Sequence, residues 1–190
     1  MNLEHSQYTV RRKVFQFLGA SFHVYDPNGQ VVMFSKMKAF KLKEDIRVYD
    51  GEAMTNELLI IQARQVLDIS ATYDVTDAQS GEKIGALKRQ GLKSILKDEW
   101  ILLDANGREL GKIKEESTAL ALIRRFVFGL IPQTYNMDIG GVPVGTMKQN
   151  FNPFVTKIDI DFSPDTQNKL DKRLGMAAAI LMCAIEGKQN

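Results

Sequence analysis

Hydrophobic and polar positions alternate along much of the chain. Ile69, Ala71, Tyr73 and Val75 interleave with Ser70, Thr72, Asp74 and Thr76. Tyr135, Met137 and Ile139 interleave with Asn136 and Asp138, and Ile158, Ile160 and Phe162 with Asp159 and Asp161. A period of two with one wet face predicts antiparallel strands around a core. The punctuation agrees: Asp26-Pro27-Asn28-Gly29, Asp50-Gly51, Ser80-Gly81, Asn106-Gly107 and Gly140-Gly141 each separate two short runs of branched and aromatic residues, the signature of hairpins. Twelve strands are predicted: Tyr8 to Val10, Phe22 to Asp26, Val31 to Lys36, Ile46 to Asp50, Leu58 to Ala63, Ile69 to Asp74, Lys83 to Lys88, Trp100 to Leu103, Gly111 to Glu115, Thr134 to Ile139, Val142 to Gln149 and Lys157 to Phe162.

Two segments break this rhythm. Ser117 can cap a short helix from Thr118 to about Phe128, ended by Gly129 and Pro132. The second predicted helix runs from about Asp165, after Ser163-Pro164, to a stop at Gly187. Its latter half, Gly175 to Ile185, is apolar on every side, so protein or lipid must wrap it. The uncharged stretch from Leu174 to Ile185 extends roughly 18 Å as a helix, and a bilayer span needs about 20 residues. The preceding sheet is the simplest wrapping, and small side chains such as Ala177, Ala178 and Ala179 let a helix thread a crowded barrel. The predicted fold is mainly β: a single domain over residues 1–190, forming a closed antiparallel barrel of about twelve strands around a buried apolar helix at about 165–187.

The order of these features resembles the tubby C-terminal fold, and within that superfamily the LURP-one-related and phospholipid scramblase branch. The resemblance is carried by Phe22-His23-Val24-Tyr25-Asp26 with Gly29, by Ile46 to Gly51, and by Tyr73-Asp74-Val75 with Gly81. It continues through Ile84 to Arg89, Trp100 to Asp104 with Gly107, Gly111 and Ile113, and Ile158 to Phe162 leading into the helix. It implies a barrel around a helix, in a superfamily that includes phosphoinositide binders and proteins linked to lipid scrambling. The scramblase branch carries calcium-binding acids before its terminal helix. Registered on Phe162 and Asp165, the earlier acidic positions fall on Phe154 and Thr156. Asp159, Asp161 and Asp165 remain, the first two on the wet face of a strand, and no calcium site is expected. The palmitoylated cysteine cluster of that branch is also missing.

Composition narrows the function. The 190 residues hold 25 Lys plus Arg against 23 Asp plus Glu, a formal charge of +2. That is too little for a surface committed to a polyanion, so there is no strong nucleic-acid signal and any anion site must be a local patch. The single cysteine, Cys183, excludes an intrachain disulfide, a thiolate zinc cluster and a redox pair, and fits a reducing, cytoplasmic setting. Residues 1–13 have no apolar stretch of secretory type, and no segment reaches the length of a membrane span. His5 and His23 are not spaced to share a metal, Cys183 reads as a core residue, and paired acids such as Asp45 with Asp50 or Glu115 with Glu116 have no partner to tune them. No enzyme, cofactor or metal is expected.

Charge placement supplies the candidate chemistry. Lys83, Lys88, Arg89, Lys93 and Lys97 form a run with no acid among them, and Lys36, Lys38, Lys41 and Lys43 form a second cluster. Such clusters offer phosphate or phosphoinositide headgroups point charges from Lys and a planar fork from Arg. The alternative is a solvated edge that discourages pairing between molecules. Arg124-Arg125, set among Ala119, Leu120, Leu122, Ile123, Phe126, Val127 and Phe128, suits either a lipid surface or a plug in a barrel mouth. The expected site is therefore Lys88, Arg89, Lys93, Lys97, Arg124 and Arg125. Two readings stay open: a cytoplasmic binding domain, peripheral at anionic membrane lipid, or a protein-interaction domain whose basic clusters only solubilise it.

Overall fold

The computed structural model describes residues 1, 3–15, 19–37, 46–64, 71–90, 99–116, 133–150 and 155–186; of residues 14, 15, 19 and 186 only the backbone is described. Twelve strands appear in order: β1 (Gln7–Phe15), β2 (Gly19–Tyr25), β3 (Val31–Met37), β4 (Ile46–Tyr49), β5 (Glu57–Ala63), β6 (Thr72–Asp77), β7 (Lys83–Arg89), β8 (Glu99–Leu103), β9 (Glu109–Glu115), β10 (Gln133–Ile139), β11 (Val142–Asn150) and β12 (Lys157–Asp161). They are followed by one helix, α1 (Lys172–Glu186). Each strand pairs antiparallel with its neighbours in sequence, and β1 closes on β12. The result is a closed meander with no free sheet edge, mainly β, as the alternation predicts.

Register turns the alternation into a core. Val10 stands opposite Val24 on one side and Ile158 on the other, Val24 opposite Met33, and Ile160 opposite Met147. All are buried and belong to one hydrophobic cluster with the helix. Along α1 every residue from Leu174 to Ala184 that belongs to the core is at most 2% exposed, including Ala178 and Ala179. Size decides what fits between helix and wall. A Cβ on Gly175 would press on the Phe162 ring, and one on Gly85 would meet the Leu103 carbonyl and, at 3.2 Å, Leu174 of the helix.

Observed and predicted strands agree closely in place, although β6 is Thr72–Asp77 where the alternation predicts Ile69 to Asp74, and two further differences are instructive. β1 runs on to Phe15 and takes in Arg11, Arg12 and Lys13, because the middle of these three continues the inward row of Tyr8 and Val10. The helix begins at Lys172, not near Asp165. Asp165 instead accepts the Lys169 and Leu170 amides at 2.9 Å in a turn that passes through Asn168 at φ 50. Asp171 is the cap, taking the Arg173 amide at 2.9 Å on Oδ1. The predicted helix at Thr118 to Phe128 and the stop at Gly187 lie outside the described residues.

The helix is clamped where it enters. Arg173 donates from Nη1 to Asp77 at 2.9 Å and from Nη2 to Asp171 at 2.7 Å. Asp77 ends β6 and is 7% exposed. The Ser80 amide, ahead of the Arg173 guanidinium and the Gln79 amide, holds the Asp77 carboxyl below the usual carboxylate range against the opposing effect of burial.

Two outcomes follow from this packing. Ala179→Asp places an unpaired carboxylate in a dry interior at a cost of several kcal/mol against a stability of about 5–15 kcal/mol, so the protein should be insoluble or lose its cooperative melt in calorimetry. Asp77→Asn should lower stability by about 1–3 kcal/mol at neutral pH. Because the folded-state pKa of Asp77 is depressed, that contribution is whole above about pH 5 and disappears as pH falls through the folded pKa. Urea titrations of the two proteins should therefore converge in acid, and a deficit independent of pH would assign the loss to packing.

Candidate functional site at the helix-exit end of the barrel

A closed meander separates its connections by parity. Those that join β1 to β2, β3 to β4, β5 to β6, β7 to β8, β9 to β10 and β11 to β12 all leave from and return to one end, which is also where α1 finishes. The remaining connections and the entry to α1 lie at the other. There the turns are tight and carboxylate-capped: Asp26 accepts the Asn28 and Gln30 amides at 2.9 and 2.8 Å, and Asp104 accepts those of Asn106 and Arg108 at 2.9 and 2.8 Å. These amides hold both carboxyls below their usual range.

Charge divides along the same line. In sequence, the helix-exit connections and the residues after α1 hold nine Lys or Arg and five Asp or Glu, whereas the turn-end connections and the residues before β1 hold two and eight. By sequence, then, the turn-end segments are net acidic and the helix-exit segments net basic. The two longest helix-exit connections in sequence, 116–132 and 90–98, also carry several Leu and Ile residues.

The inward face near the helix-exit end carries polar groups that a purely apolar core would not. Arg89 continues the inward row of Gly85 and Leu87, and its Cζ lies 5.9 Å from the centre of the buried Trp100 ring. Tyr73 stands 6.2 Å from the same ring; burial pushes its hydroxyl pKa up, with the Arg89 charge opposing. Tyr135 donates from its hydroxyl to Gln133 at 2.9 Å. Glu115, the last residue of β9, is 7% exposed on the inward face and is engaged there, so it is not the unpartnered acid that the sequence suggests. Arg12, 5% exposed, faces the last turns of α1 near Cys183, and that burial drives its pKa down.

The expected site residues fall into three groups. Lys88 is exposed on the outer face of β7, whereas Arg89 points to the inner face, because adjacent strand residues face opposite ways. The two therefore do not form one side-by-side patch. Lys93, Lys97, Arg124 and Arg125 lie outside the described residues, as do Lys38, Lys41 and Lys43. Lys83 is bound at 3.0 Å to Asp74, which also takes Arg64 at 2.8 Å; the neutralising acid arrives from the adjacent strand, where a linear reading of the run cannot find it. Lys36 is exposed at the end of β3. Sequence reasoning missed the inward polar residues, above all Arg12, whose signal was a strand period carried on through three basic residues.

The acids before the helix are each occupied. Asp159 accepts Thr9 at 2.6 Å, Asn150 at 3.0 Å and Lys157 at 3.0 Å, and Asp161 accepts Gln7 at 3.0 Å and the Ser163 amide at 2.8 Å. Among the described residues no group of three or more His, Cys, Asp or Glu could hold a metal ion. His23 is buried on the outer face of β2, edge-on to Phe34 at 5.0 Å, with Nε2 2.6 Å from Glu52, a packed and paired structural residue. Cys183 is fully buried. Among the described residues no helix is long and apolar enough to cross a membrane.

No curated protein and no solved structure matches the chain. A family model does: that of LURP-one-related proteins matches residues 31–183, from β3 to the final turns of α1. With most of the barrel and nearly all of its central helix inside the match, the chain belongs to the LURP-one-related family.

Proposed function

We propose that the chain is a single non-enzymatic binding domain over residues 1–190 that applies the helix-exit end of its barrel to anionic phospholipid or phosphoinositide headgroups at the cytoplasmic face of a membrane. Membership of the LURP-one-related family is compatible with a non-enzymatic binding role. The observation that supports the reading most is the division of charge between the two ends. Lys93 and Lys97 belong to the connection that follows Lys88 and Arg89, and Arg124 and Arg125 to the one that follows Glu115; the strand ends flanking both lie at the basic end. Apolar neighbours such as Leu92, Leu96, Phe126 and Phe128 suit the boundary between headgroups and acyl chains.

The expected affinity is modest. Each Lys or Arg near an anionic leaflet contributes about 1 kcal/mol, falling off within a Debye length, so adhesion should be reversible and sensitive to salt. Ends of opposite charge would also orient the barrel, with the acidic turns facing away from the membrane.

A matched pair of charge reversals tests this. Lys88→Glu with Lys93→Glu alters the basic end, and Arg108→Glu with Lys169→Glu makes the same change of charge at the turn end. In flotation with phosphatidylserine vesicles at low salt, the first should lose about 30-fold in binding or more and the second should stay within a few-fold of wild type. Equal losses would reduce the effect to net charge, and a wild type that ignores anionic vesicles would leave the protein-interaction reading in its place.

A further inference from the structure

The least comfortable group in the molecule is the Arg12 guanidinium. It is 5% exposed, it lies inside the barrel, and neither Nε nor Nη1 has a hydrogen-bond partner. Burial drives its pKa down, and the titratable neighbour that opposes this is Cys183 near the end of α1. An unpaired charge in such a place costs several kcal/mol. Buried polar groups without partners are rare, and each calls for an explanation.

The surroundings point to the missing partner. In the same row across β1, β2 and β3, Arg12 stands opposite Phe22 and Phe22 opposite Ser35, whose hydroxyl is also buried and unpartnered. Nε and Nη1 lie on the two different forks of the guanidinium, so an oxygen pair on either fork would satisfy one of them. Gln149, two strands away through β12, is inward-facing with an unpartnered Oε1, and turning its amide over would present a donor instead. Arg12 and Ser35 thus share one inward row with unpartnered donors, and among the described residues of β1, β2 and β3 in that row none is an acid.

We propose that Arg12 is the anchor of a binding site for one oxyanion group of phosphate type, held inside the barrel near the end where α1 finishes, with the Ser35 hydroxyl as a second donor. The site is separate from the surface residues of the membrane reading, since Lys88 faces outward. Bound oxyanion would neutralise the guanidinium, accept one of its orphaned donors, and sit beside the closing end of α1. The chemistry is common to free inorganic phosphate and to the phosphate monoester of a lipid such as phosphatidic acid.

Thermal melts at constant ionic strength test the assignment. Replacing sodium chloride by sodium phosphate should raise the wild-type Tm by about 5 °C or more at a phosphate concentration a hundredfold above the dissociation constant. Arg12→Met, which keeps the length and removes the charge, should lose this rise apart from the general salting effect of phosphate. Arg12→Lys, which keeps the charge without the fork, should retain only a fraction of it, and it serves if the Met variant does not fold. Lys88→Glu with Lys93→Glu should keep the full rise, so failure of the membrane reading leaves this one standing. A rise produced by phosphatidic acid vesicles and not by phosphate would identify the lipid as the source. A wild type that responds to neither, or an Arg12 variant that responds as wild type does, overturns the proposal.

Discussion

A helix with no polar face can exist in water only if something encloses it, and the architecture is the answer to that constraint. From Leu174 to Ala184 the core residues of α1 are almost entirely hidden. Twelve strands give a barrel wide enough to hold a helix, provided the helix is built from small residues where the wall comes close. Gly175 against Phe162 and Gly85 against Leu174 mark two such contacts. The inward face of every strand must then be apolar at the height of the helix, which is the alternation visible along the chain.

Enclosure also decides where function can be placed. With the sheet closed and α1 running through it, the molecule has an outer wall and two ends. The turn end is committed to structure: carboxylates cap its turns, and Arg173 ties the start of α1 to Asp77. The helix-exit end has, in sequence, the longer connections and the excess of basic residues, and among the described residues the polar inward side chains. Parity of a meander, rather than any local motif, brings distant parts of the sequence to one rim.

Much of the fold was legible because it depends on short-range rules. Ile158, Ile160 and Phe162 announce their strand by themselves, and Ala177 to Ala179 announce a helix that must be wrapped. What was not legible depends on partners. Arg11, Arg12 and Lys13 look like a solvated run until Val10 is set opposite Val24, which carries Arg12 inward opposite Phe22. Lys83 looks free until β6 brings Asp74 beside it. Asp165 and Asp171 are equally good caps on paper, and only the turn through Asn168 decides for Asp171. The adjacency of Lys88 and Arg89 suggested a pair, and the pleat separated them.

The seam between β1 and β12 has a consequence for how the chain reaches its folded state. Gln7 hydrogen-bonds to Asp161, 154 positions away. The barrel can therefore close only after nearly the whole chain has been made, and the helix that must lie within it comes later still. Hairpins can form early, one after another, as an open curved sheet with its apolar side uncovered. Such a topology is rich in distant pairings and slow to assemble, and its half-built forms are exposed to aggregation. The helix is then less a late addition than the object around which the sheet can finally curl shut.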